Sequence, residues 1–80
     1  MREIVVLEHA ERQLELAGEM RSATREILKR IYEYEELSGI SFLDQKNMLL
    51  DFMCDLSDQQ YDLGVEIEKL RAQAGYKVEP

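Results

Sequence analysis

Leu49, Leu56, Leu63 and Leu70 recur every seventh residue, and Met53, Gln60, Ile67 and Ala74 each follow one of them by four. That alternation of four and three is the seam of a helix packed along its length against another, with leucine at d and the interleaved residues at a of a heptad. An unbroken pattern from Phe42 to Ala74 demands a helix about 50 Å long at 1.5 Å per residue. A helix of that length hides its apolar stripe only against a partner of similar length.

The partner lies upstream in the same chain. Leu7, Ala10, Leu14 and Ala17 step by three and four, while Glu8, Glu11, Arg12 and Glu15 fall on the other faces. This spacing favours helix over the strand that the β-branched run Ile4, Val5 and Val6 would otherwise suggest. Beyond Gly18 the apolar positions are Met20, Thr24, Ile27, Ile31, Tyr34 and Ser38, joined to the first run by an extra step of three. Such a stammer overwinds a seam locally, so a bend is expected beside Gly18.

Between the two runs, Leu37-Ser38-Gly39-Ile40-Ser41 reads as a tight connection. Gly39 suits the left-handed position that ends a helix, with Ile40 making the apolar contact of a Schellman ending. Ser41 is placed to cap the next helix, with Asp44 as its acidic partner. So short a connection makes the helices antiparallel neighbours. The fold class expected is therefore all-α: a hairpin of helices over about residues 3–38 and 42–74, one domain spanning 1–80, and a tail over 75–80 that brings Tyr76 and Val78 near Ile4 and Val5. With the turn near residue 40, facing residues have numbers adding to roughly 80, which puts Gly18, Gly64 and Gln60 at one height. Gln60, polar at an a position, is expected to fix register, so Gln60→Leu should raise thermal stability while relaxing specificity.

Eighty residues bury too little surface to be comfortable as an isolated hairpin. Self-association into a four-helix bundle, or docking on another protein, is expected. The residues expected between chains are Leu28, Tyr32, Phe42, Leu43, Leu50 and Phe52, which broaden the apolar face near the turn. A lone cysteine, Cys54, and the lack of a basic, apolar, small-residue leader pattern suggest a reducing, cytoplasmic setting. The longest apolar run, Ile4 to Leu7, is far short of the roughly 20 residues that cross a bilayer. A net charge of −7 works against non-specific attraction to nucleic acid or anionic lipid.

Motifs that carry chemistry fail on inspection. His9 follows Val6 by three, where a carboxylate bundle site would need glutamate, and no second histidine exists to complete a metal set. Asp55 to Glu66 opens and closes like a calcium loop but has Gln60 at the position requiring glycine. The leucine repeat is preceded by Asp44, Gln45, Lys46 and Asn47, not by a basic helix fit for a DNA groove. Cys54 has no basic neighbour in sequence to support a reactive thiolate. Neither an enzymatic activity, a metal, a cofactor nor a small-molecule substrate is expected.

Two charged rows remain. Asp44, Asp51, Asp55, Asp58 and Asp62 occupy f and c positions of the second helix, at a cost in helix propensity that glutamate would lessen. The row is either a solvated face or a docking strip for a basic partner. Arg21, Arg25 and Lys29 make a basic row on the first helix, expected to register against Gln59, Asp55 and Asp51 or, alternatively, to contact nucleic acid. The function expected is a non-enzymatic protein-interaction module that acts through the apolar face and the acidic row, with a nucleic-acid-linked regulator as the alternative.

Overall fold

The computed structural model describes residues 2–73. Helix α1 runs Arg2–Ser38, helix α2 runs Leu43–Gln73, and the two pack against each other as a hairpin. The expected tail, and with it Tyr76 and Val78, lies outside the described residues, as does Ala74 of the seam. Cross-helix neighbours are Glu11 with Arg71, Gly18 and Arg21 with Gln60, and Glu35 with Lys46, pairs whose numbers add to between 78 and 82. The register expected from the turn is the one observed.

The turn is built as an αL helix ending. Gly39 takes φ +75° and its N–H bonds to the Glu35 carbonyl at 2.8 Å, the single bond of the simpler motif. The Ile40 N–H goes to the Ser38 hydroxyl at 3.1 Å, not to the carbonyl a Schellman ending would use, and Ile40 is exposed. The start of α2 also departs from the serine cap. The Phe42 carbonyl accepts the first helical bond from the Lys46 N–H at 2.9 Å, while the Phe42 N–H donates to a Glu35 carboxylate oxygen at 2.6 Å. The other oxygen of Glu35 takes the Lys46 ammonium at 2.7 Å, both side chains being only 15% exposed. A carboxylate from the preceding helix thus does the work expected of Ser41 and Asp44, and ties the two helices at the corner.

The seam of α2 is as its leucines imply: Leu56, Ile67 and Leu70 are buried, with Leu49, Met53, Gln60 and Leu63 half-buried between them. At the end distant from the turn, Leu7, Ala10, Ile67 and Leu70 form a core cluster against which Leu14 and Leu63 pack.

On α1 the second half corrects the expectation. Buried or half-buried residues continue from Ala17 through Arg21, Thr24, Leu28, Ile31 and Glu35, stepping by four and three without a stammer. Met20, Ile27 and Tyr34, assigned to the seam on hydrophobicity, are exposed. The helix keeps one heptad phase over its whole length by accepting Arg21 and Glu35 at a positions. Both are long enough to place their charges near water or a partner while their stems fill the seam. Thr24 is 4% exposed, and its hydroxyl is satisfied by donating to the Met20 carbonyl at 2.7 Å.

Candidate functional site: two unlike sides of the hairpin

An antiparallel pair that meets through a and d positions presents the g positions of both helices along one side and the e positions along the other. The two sides here differ in chemistry. On the g side, Ile27, Arg30, Ile31, Tyr34, Phe42 and Gln45 line a shallow groove near the turn, floored by the Tyr34 and Phe42 rings with centroids 5.8 Å apart and planes at 57°, a tilted aromatic contact. Repeating by heptads along the same side adds Met20 on α1 and Phe52 on α2. Met20, Ile27, Tyr34 and Phe52 are between 41% and 55% exposed. Of the ten g positions from Val6 to Gln73, the one charged residue is Glu66.

The e side is mixed, with exposed Tyr32, Leu43 and Leu50 near the turn and charged residues farther along. Glu11 and Arg71 pair across it at 2.7 Å, and Lys46 stands 4.7 Å from the centre of the Tyr32 ring, within reach of a cation–π contact. Gly18, Arg21, Ser22 and Arg25 line a small notch between these points.

The residues expected between chains are divided by this arrangement. Leu28 is 6% exposed and already covered by the facing helix, so it is not available to a second chain. Phe42 is half-buried against Tyr34. Tyr32, Leu43 and Leu50 are exposed at e positions, whereas Phe52 is exposed at g, on the opposite side. They do not make one patch. Ile27, Tyr34 and Met20 were missed because counting apolar residues puts them in the seam; the signal that would have released them is that Arg21, Leu28 and Glu35 preserve the heptad phase of Leu7 and Leu14.

The aspartates of the acidic row, Asp44, Asp51, Asp55, Asp58 and Asp62, are all exposed, and among the described residues none has a cation within ion-pairing distance. The basic row does not register against them. Arg21 donates to the neutral Gln60 carbonyl at 3.0 Å, Lys29 turns to Glu26 of its own helix at 3.6 Å, and Arg25 has no carboxylate within 4 Å among the described residues. His9 and Cys54 are exposed. Among the described residues no three His, Cys, Asp or Glu side chains converge as a metal site, and no helix is long and apolar enough to cross a membrane.

The best-defined electrostatic element is Glu35. Its bond to Lys46 and, next, the bond from the Phe42 N–H hold its carboxyl below the usual carboxylate range, against a smaller opposing effect of burial. No protein-family model, curated protein or solved structure matches the chain.

Proposed function

We propose that the protein is a non-enzymatic helical interaction module whose apolar-rich g side is covered by a second copy of itself, giving a four-helix bundle. The observation that carries this reading is surplus surface. A compact monomer of 9.4 kDa exposes about 5,000 Å² by the general scaling of area with mass, whereas this chain exposes 6343 Å². Covering the difference on both copies removes roughly 2,700 Å², inside the roughly 2,000–5,000 Å² range of obligate homodimers. The shape agrees: the radius of gyration is 18.0 Å, with extents of 59 × 24 × 15 Å, against about 12 Å for a compact chain of this length. A single layer of two helices leaves one whole side of α1 without a partner.

The g side is the better candidate than the e side because Glu66 is the one charged residue among its g positions and Arg30, at the groove edge, keeps Glu26 as its partner at 3.3 Å, while the e side would have to bury Glu11, Arg25 and Arg71. In the bundle the aspartate row remains accessible to a basic protein partner. Sedimentation equilibrium tests the reading. The native chain should sediment at twice 9.4 kDa, Ile27→Glu should sediment as a monomer, and Leu50→Glu should remain a dimer. A monomer at every concentration refutes the proposal; dissociation by Leu50→Glu with Ile27→Glu unaffected moves the interface to the other side.

A further inference from the structure

The notch on the e side combines features that the docking reading leaves unused. Arg21 enters the seam with a neutral partner only, Gln60, and its Nε is buried with no hydrogen-bond partner among the described residues. Burial of a charge without a counter-charge is costly. The other charges that enter the seam show how this chain meets that cost: Glu35 and Lys46 pair at 2.7 Å. Arg25, one turn after Arg21, also has no carboxylate partner among the described residues, although the chain carries 17 acidic residues. Gly18 contributes no side chain beside them, and Ser22 adds a hydroxyl to the same concavity.

We propose that Arg21, Arg25 and Ser22, in the notch beside Gly18, form a binding site for a free oxyanion of phosphate size. Two guanidinium groups one turn apart bring N–H donors and positive charge suited to phosphate oxygens, and the bound anion supplies the counter-charge that Arg21 lacks. A nucleic-acid track is the weaker assignment. It would have to continue along the row to Lys29 and Arg30, and both are held by Glu26, at 3.6 and 3.3 Å. The site lies on the side opposite the groove of Ile27 and Tyr34, so occupancy and dimerisation are compatible.

The test is an NMR titration of the arginine Nε–Hε signals of the full chain with inorganic phosphate, matched at each point by sodium chloride of equal ionic strength. Arg21 and Arg25 should shift saturably at millimolar phosphate, with Arg12, Arg30 and Arg71 unmoved. Arg25→Gln, at an exposed position with no hydrogen bond or ion pair among the described residues, should weaken the response at least five-fold. Arg21→Lys, which keeps the charge and loses the fork, should weaken it likewise. Equal shifts with chloride, or a response undiminished in both variants, overturn the site. Tighter saturation by a single-stranded oligothymidine, with Lys29 responding, also overturns it and assigns the row to nucleic acid.

Discussion

Replacing the polar layer of the seam tests how Arg21 and Gln60 contribute to stability. Leucine at each of these half-buried positions gains about 1 kcal/mol, half of what full burial of the side chain provides. Removing Arg21 also removes a buried, unpaired Nε, a relief of about 2 kcal/mol, while the lost bond between charged donor and carbonyl costs about 2 kcal/mol. Arg21→Leu is therefore expected to raise stability by about 1 kcal/mol, because Gln60 can turn to water. Gln60→Leu should lower it by about 1 kcal/mol, since the guanidinium then has no partner in the hairpin. The double variant gains both leucines and the relief for a single lost bond, a net of about 2 kcal/mol, or roughly 8–16 °C in Tm for a domain of this size. Cross-helix contact with Arg21 thus reverses the sign expected for Gln60→Leu from its heptad position alone. Urea unfolding of all four proteins at one fixed protein concentration, since association couples to stability, reads the cycle. A coupling below about 0.5 kcal/mol, or a double variant less stable than the native chain, refutes the account of the layer.

Three further outcomes follow from the same structure. Because the Glu35 carboxyl is held below its unfolded value, its contribution is present above the ordinary carboxylate range and is lost as pH falls through the depressed folded value; Glu35→Gln should lower Tm at neutral pH and narrow the gap to the native chain as the solution is acidified, and a gap that widens on acidification contradicts the corner latch. Asp51, Asp55, Asp58 and Asp62 stand three or four residues apart, where like charges on a helix cost about 0.2–0.5 kcal/mol per pair, so Asp55→Asn with Asp58→Asn should raise Tm by a few degrees at low salt and less at high salt; a fall in Tm would show that the row is paired in the assembly. Leu56 is 2% exposed at mid-seam, so Leu56→Ala should cost about 2.7–5 kcal/mol, enough to unfold so small a domain in dilute buffer by circular dichroism, and a native-like melt would remove it from the core.

The hairpin, its register and its glycine turn were legible because they rest on local rules: the d leucines, a residue able to take positive φ at Gly39, and a connection too short for any other packing. The second half of α1 was not, and the reason is specific. Two rows lie one residue apart, Arg21, Leu28 and Glu35 in one and Met20, Ile27 and Tyr34 in the other, and hydrophobicity favours the second. Geometry favours the first, because a single helix cannot change phase without strain and because Glu35 finds the Phe42 N–H and Lys46 at the corner. Those partners come from the other helix, so no window of α1 displays them. The same slip hid the apolar-rich side, since residues assigned to the core are not sought on the surface. The notch at Gly18 was half legible: the row of Arg21, Arg25 and Lys29 was visible, but not that Glu26 withdraws its last member.

The central claim, that a second copy covers the side bearing Ile27, is tested most directly by isotope-edited NOE spectra on an equal mixture of ¹³C-labelled and unlabelled chains. Contacts between chains from the methyl groups of Met20 and Ile27 to the rings of Tyr34 and Phe52 are the expected result. Inter-chain contacts from Leu43 and Leu50 instead, or none in a protein that remains folded, would contradict it.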